Sequence, residues 1–249
     1  MGSSGNEKKK SLGHPDKTIF FFPMIGSIIN QPSIEISGIT IQEPITSLTD
    51  LLVSLTCFIL YLKVHRMNKT NHVYRLFKYF FITMSISTLS GGLIGHAFFY
   101  AFDFKWKLLG WIVGMISVMF IERATIFHAR PLMGNSIGKI FRVINIFELA
   151  IFIAITISTL NFYFVEIHMA YGFIIVVFSF ELFVYLKTKD KGSRIFMLFV
   201  LLAAITAAVH ISKFSIGKWF NYLDISHVLM IISAIVLYKG IEKMQIFES

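Results

Sequence analysis

Three histidines of this chain, each close to an end of a long apolar segment, are candidates to bind a metal ion. They are His96, His210 and His227. Three neutral imidazoles and one water form a catalytic zinc arrangement, in which the metal lowers the pKa of the water to about 7. Asp50 and Asp224 occupy comparable positions, and a carboxylate there can orient a ligand or act as a general base. The sequence therefore predicts one polar site that can hold zinc.

Seven apolar segments must position these side chains. Each is close to the roughly 20 residues that a membrane-spanning helix needs. Hydrophobic residues make up 55% of the 249 residues and charged residues only 15%, so lipid must cover much of the apolar surface. We predict an all-α, polytopic membrane protein with a bundle of seven transmembrane helices. The segments are 46–64, 80–102, 108–127, 143–160, 164–186, 195–211 and 223–238.

The spans divide the chain into three parts. We expect a polar N-terminal tail at 1–45, the seven-helix bundle at 46–240 and a short C-terminal tail at 241–249. The tail contains a short apolar run, 19–29, which is interrupted by a proline and a glycine and is too short to span a bilayer. Because no clear cleavage site follows it, we interpret this run as a tail or interfacial segment and not as a cleaved signal peptide.

Lysine and arginine are concentrated in the first, third and fifth connections and after the last span. Cytoplasmic loops carry such an excess, so we predict the N-terminus outside and the C-terminus in the cytoplasm. All five candidate site residues then lie near the outer face. The net charge of +9 comes from short basic runs between apolar segments, which predicts membrane lipids as partners and no nucleic acid.

Helical spacing turns several of these side chains toward the interior of the bundle. Residues three or four positions apart share a helix face, so Asp50 aligns with Ser54 and Cys57. Asp224 and His227 are three apart, so that one can orient the other. A structural interpretation remains open, in which the histidines only form hydrogen bonds that hold helices together. Cys57 is the single cysteine, which excludes an intrachain disulfide and a cysteine-based metal site.

Two short segments resemble a known superfamily. His96 ends the segment SGGLIGH at 90–96, and His227 ends LDISH at 223–227. This pattern resembles the seven-span membrane hydrolases that include the alkaline ceramidases and the progestin and adiponectin receptors. Those proteins hold zinc with one histidine late in the second helix and an H-x-x-x-H pair in the seventh, supported by a serine and an aspartate. The resemblance implies hydrolysis of an amide or ester in a lipid, at the outer end of the bundle.

The chain departs from that pattern in three ways. Leu223 stands where the pair has its first histidine, Gly92 stands where a serine is expected, and no aspartate lies within the third span, although Asp103 just precedes it. His210 would then replace the missing ligand. Two other classes of function remain open, namely a transporter or receptor that uses a polar bundle interior, and a structural subunit of a membrane complex. Glu122, Glu148 and Glu181, which we place in the inner halves of three helices, would serve either as a relay or as partners of nearby arginines.

Overall fold

The computed structural model describes residues 31–133 and 135–247. Within them, seven helical stretches are long and apolar enough to cross a membrane, which confirms the predicted all-α bundle. The protein is a multi-pass integral membrane protein. The apolar run at 19–29 lies outside the described residues. The spans, numbered one to seven in chain order, are Pro44–Arg66, His72–Ala97, Phe104–Met133, Ser136–Thr159, Tyr163–Thr188, Lys191–Ser212 and Tyr222–Lys243.

Eight α-helices, two π-helical segments and the short 3-10 helix Phe104–Trp106 build these spans. The α-helices are α1 (Pro44–Arg66), α2 (His72–Ser90), α3 (Lys107–Met133), α4 (Asn135–Thr159), α5 (Tyr163–Ala170), α6 (Phe178–Thr188), α7 (Lys191–Ser212) and α8 (Tyr222–Lys243). The π-helical segment Gly91–Ala97 continues α2, and Tyr171–Val177 joins α5 to α6 in the fifth span. Such wider turns occur frequently at functional sites.

A small β-hairpin precedes the first span. Strands β1 (Ile34–Ile36) and β2 (Ile39–Ile41) pair antiparallel through a two-residue turn at Ser37 and Gly38. Both turn residues have positive φ angles, as tight hairpin turns require, and glycine adopts them without steric cost. The backbone N–H of Gln42 then donates to the carbonyl of Ala97 at 3.0 Å, which attaches the hairpin to one end of the bundle. We call this the hairpin end.

Polar side chains cap the starts of helices α2 and α7. Asn71 accepts a hydrogen bond from the backbone N–H of Val73 at the start of α2, and Asp190 accepts one from Ser193 at the start of α7. Such side chains satisfy the free N–H groups of a first helical turn. The sequence thus defines these helix starts locally, before any packing between spans.

Close packing joins the first, second and last spans, with α1 between α2 and α8. The rings of Phe77 and Phe196 stack at 5.4 Å in the apolar core, and the Ser54 hydroxyl donates to the Ser85 carbonyl at 2.8 Å. Helix α4 lies at the edge of the bundle against α3 and α5, with large apolar side chains such as Phe147 exposed. In a membrane, lipid covers such a surface.

Several helices extend beyond their apolar runs. The second span begins at His72 and not near residue 80, and the third continues to Met133 and not to 127. The fourth begins near 136 and not at 143. An apolar run marks the part of a helix that lies in lipid, whereas the helix itself continues through charged residues such as Arg75. The predicted orientation of the termini stays a prediction.

Candidate functional site

The side chains of Asp50, His96 and His227 meet at the hairpin end. The Nε2 atom of His227 lies 3.4 Å from Oδ1 of Asp50, and the Nε2 atom of His96 lies 4.0 Å from Oδ2 of the same carboxylate. The centroids of the two imidazole rings are 6.5 Å apart. The first, second and seventh spans therefore contribute one side chain each to a common site.

Each imidazole is also held through its other ring nitrogen. Nδ1 of His96 lies 2.5 Å from Oε2 of Glu43, and Nδ1 of His227 lies 2.9 Å from the Thr49 hydroxyl. A partner at one nitrogen fixes the ring orientation and decides which nitrogen carries the proton. Glu43 adopts a left-handed backbone conformation with φ 42°, which is unfavourable for a residue other than glycine and often marks a functional site.

The hydrogen bonds around Thr49 indicate which nitrogen of His227 is protonated. The Thr49 hydroxyl also lies 3.0 Å from the Thr46 carbonyl and 3.4 Å from Oδ1 of Asp224. Because its single proton faces two oxygens that accept hydrogen bonds, the hydroxyl oxygen favours accepting from Nδ1–H of His227. The Glu43 carboxylate likewise accepts from Nδ1–H of His96. Both Nε2 atoms then direct lone pairs at the Asp50 carboxylate, and such a set of acceptors suits a cation.

Two glycines allow α1 to approach the site closely. A Cβ atom on Gly91 would lie 2.7 Å from Oδ2 of Asp50, and one on Gly92 would lie 3.2 Å from the Cβ of Asp50. A side chain at 91 would therefore displace the carboxylate. These two glycines of the second span contact the helix that carries Asp50, and such small residues allow close helix packing in membranes.

Asp224 is completely buried, and hydrogen bonds occupy its carboxylate. It accepts from the backbone N–H of Asn221 at 2.6 Å, from Nε2 of Gln31 at 2.7 Å and from the Thr46 hydroxyl at 2.9 Å. These bonds cap α8 and hold its start against α1. Asp224 and His227 are connected through Thr49, so this carboxylate positions the site indirectly.

His210 takes part in a different contact. Its Nε2 atom lies 3.1 Å from Oε1 of Glu166, and its ring contacts those of Phe162 and Tyr222. The sixth span is thus joined to the fifth at the hairpin end. Of the five residues that the sequence suggested, the structure brings Asp50, His96 and His227 together, whereas Asp224 and His210 have other partners.

A second polar cluster lies between the third, fourth and fifth spans. Glu122, Glu148 and His168 each offer one ligand atom, and these atoms lie within 4.8 Å of one another, so the three could hold a metal ion. The sequence placed Glu122 and Glu148 in the inner halves of their helices but did not connect them with His168, because the fourth span was expected to begin at 143. The observed start near 136 places Glu148 in the middle of the span.

A third buried cluster joins α3, α6 and α7. Nδ1 of His128 lies 3.1 Å from Oε1 of Glu181, whose Oε2 accepts a hydrogen bond from the Ser193 hydroxyl at 2.7 Å. His128 lies just after the predicted end of the third span at 127, yet it is only 1% exposed, because the helix continues past it. The carboxylates of Glu148 and Glu181 thus each contact a histidine, and in the described residues no salt bridge joins either of them to an arginine.

The fold and these clusters define a seven-span membrane protein with polar sites inside its helical bundle. The chain belongs to the Family of unknown function (DUF6962), whose model matches residues 45–246. The matched range contains all seven spans apart from one residue at the start of the first. No curated protein and no solved structure matches the chain. Functional argument therefore depends on the geometry of the polar clusters.

Proposed function

We propose that the protein is a zinc-dependent membrane hydrolase whose metal is held by His96, His227 and Asp50. The observation that carries this proposal is the convergence of two Nε2 atoms on one carboxylate, with each imidazole held at Nδ1. Two imidazoles and one carboxylate are a known ligand set of catalytic zinc, and they leave one tetrahedral position for water. Asp50 takes the place that the sequence suggested for His210.

The proposed reaction is hydrolysis of an amide or ester bond in a lipid. Bound zinc would supply polarisation of the carbonyl and a water of lowered pKa. Thr49 holds the His227 ring in position, and Asp224 in turn holds Thr49. The side chain of Glu43 is 31% exposed and contacts His96, so it can exchange protons between the site and solvent.

The position of the site supports a lipid substrate. The His96 side chain is 19% exposed and the Asp50 side chain is 7% exposed, so His96 lies on the more accessible side of the site. On the same helix as Asp50, Leu48, Leu52 and Leu55 are about half exposed and would face lipid. A lipid could thus place its chain against α1 and its head group near His96.

The resemblance to the ceramidase and adiponectin receptor superfamily gives further support. His96 and His227 correspond to a zinc ligand late in the second helix and to the second histidine of the pair in the seventh. Leu223 departs from that pattern, and an aspartate from the first span would supply the missing ligand. Gly92, in place of a serine, makes room for that aspartate.

The test is zinc content and lipid hydrolysis of purified protein in lipid nanodiscs. We expect His96→Ala, His227→Ala and Asp50→Asn each to lower the zinc content by one ion per chain. They should also abolish hydrolysis of a panel of amide-linked and ester-linked lipids. His210→Ala is the matched control and should keep both, because His210 pairs with Glu166. Equal zinc content in wild type and His227→Ala would contradict the proposal.

A further inference from the structure

The cluster between the third, fourth and fifth spans contains four polar side chains in the middle of the bundle. Asn145 donates a hydrogen bond from Nδ2 to Oε2 of Glu122. Oε1 of Glu148 lies 2.7 Å from Nδ1 of His168, whose Nε2 lies 3.0 Å from the Met115 carbonyl. Glu122 and His168 are fully buried and Asn145 is 4% exposed. We call this group the mid-membrane cluster.

Three oxygen atoms of this cluster have no hydrogen-bond partner. They are Oε1 of Glu122, Oδ1 of Asn145 and Oε2 of Glu148, and within residues 31–133 and 135–247 they are the only buried side-chain nitrogen or oxygen atoms in that condition. Buried polar atoms without a partner are costly and rare. All three atoms belong to one cluster, and each of them can accept a hydrogen bond or bind a cation.

A divalent cation would also suit the charges of the cluster. The Met115 carbonyl can only accept, so the Nε2 atom of His168 carries a proton, while Nδ1 faces Oε1 of Glu148 at 2.7 Å. Nδ1 would release any proton that it carries when a metal ion binds there. Within the described part of the chain, Glu148 pairs with His168, and no salt bridge joins Glu122 or Glu148 to a lysine or arginine. Carboxylate charge is expensive inside a membrane, and a divalent ion would balance it.

We propose that Glu122, Glu148 and His168 bind one divalent transition-metal ion, with Oδ1 of Asn145 as a fourth ligand. One ligand atom each of Glu122, Glu148 and His168 already lies within 4.8 Å of the other two. Oxygen ligands with one imidazole suit Zn²⁺, Mn²⁺ or Fe²⁺, whereas Cu⁺ prefers sulfur. This site shares no residue with the proposed hydrolase site and is independent of it.

Two features of the surroundings fit a bound ion. Glu122 and Asn145 line a cavity of about 410 Å³ between these spans, which gives an ion and its water a path to the cluster. Gly172, in the π-helical segment of the fifth span, packs directly against Glu122, and any side chain there would collide with its Oε1 atom. Such segments occur frequently at functional sites.

The ion would also attach α4 to the bundle. This helix lies at the edge and packs mainly on α3 and α5. Glu148 and Asn145 belong to α4, Glu122 to α3 and His168 to α5, so one ion connects the three helices. Removal of the metal should therefore loosen α4 selectively, which hydrogen exchange of its backbone amides can measure.

The test uses protein in nanodiscs that carries His96→Ala and His227→Ala, so that the hydrolase site does not contribute. We expect one Zn²⁺ or Mn²⁺ ion per chain in a titration. Adding Glu122→Gln or Glu148→Gln should weaken binding by about tenfold or more, because glutamine has nearly the shape of glutamate but lacks its negative charge. Glu166→Gln is the control on the fifth span and should bind as before.

X-ray absorption by the bound metal gives a second measurement that needs no change in the cluster. The metal in the double-histidine variant should have one imidazole and three or more oxygen ligands, whereas the hydrolase site predicts two imidazoles. The proposal is overturned if this variant binds neither ion, or if both glutamine variants bind as tightly as their parent. If only the hydrolase proposal fails, the wild-type protein should bind a single ion, and Glu148→Gln should abolish this binding.

Discussion

The Nε2 atom of His227, in the last span, lies 3.4 Å from Oδ1 of Asp50, in the first. This contact closes the bundle at the hairpin end, where α1 packs between α2 and α8. The site therefore forms only when the first and last spans have both folded. A change that separates α1 from α8 should remove zinc binding even when it lies away from the three ligands.

Gly91→Ala should damage the hairpin-end site through packing alone. The added methyl group would lie 2.7 Å from Oδ2 of Asp50, so the carboxylate must move. We expect a loss of stability of about 1–3 kcal/mol, as for other overpacked sites, together with weaker zinc binding. Thermal unfolding and zinc titration measure the two effects. Gly95→Ala is the matched control because a Cβ there has no neighbour within 4 Å, and an equal effect of both changes would argue against this explanation.

Thr49→Val should weaken zinc binding while the fold persists. Valine has the same shape, but it cannot hold Nδ1 of His227, which lies 2.9 Å from the Thr49 hydroxyl. Loss of a group that orients a metal ligand commonly costs about tenfold or more in affinity. Thr83→Val is the control, since that hydroxyl bonds to carbonyls of its own helix. Unchanged affinity in Thr49→Val would show that His227 needs no such support.

Acidification should weaken the attachment of Glu43 to His96. The hydrogen bond from His96 holds the pKa of the Glu43 carboxyl below its ordinary value of 4.5, and this effect exceeds the opposing effect of burial. The ionised group therefore stabilises the folded protein fully above about pH 4.5, and this contribution is lost as the pH falls through the lowered pKa. The difference in melting temperature between wild type and Glu43→Gln should shrink in that range. A difference that stays constant through this pH range would contradict this explanation.

Ser193→Ala should destabilise the cluster of His128 and Glu181. The Ser193 hydroxyl is buried and donates to Oε2 of Glu181 at 2.7 Å, so its removal leaves a buried carboxylate oxygen without that donor. We expect a loss of about 1–3 kcal/mol in the free energy of unfolding. Ser158→Ala should have little effect, because that exposed hydroxyl bonds to a carbonyl of its own helix. Similar losses from both changes would contradict a special role for Ser193.

The seven spans could be predicted from the sequence because each is a long apolar run whose length matches a bilayer. The approach of Asp50 to His96 could also be predicted, since both lie near the same end of their spans. Helical spacing also placed Asp50 on an inward face. These are local properties of single helices.

Other features depend on how helices extend and pack, which the apolar pattern does not reveal. The contact of Glu148 with His168 was missed because α4 begins before its apolar run. The burial of His128 could not be predicted because α3 continues past the apolar run that ends at 127. The role of Thr49 between His227 and Asp224 is a tertiary contact between uncharged and charged side chains. The β-hairpin also lies in a stretch that was expected to be a plain tail.

The π-helical segment Tyr171–Val177 sets the angular relation between the two halves of the fifth span. A π-helix has more residues per turn than an α-helix, so the residues after the segment are rotated about the helix axis relative to those before it. His168 precedes it and faces Glu148, whereas Glu181 follows it and faces His128. Deleting one residue from the segment would restore an ordinary helix and turn Glu181 away from His128. A single span can thus serve two chemically separate clusters because its periodicity changes once along its length.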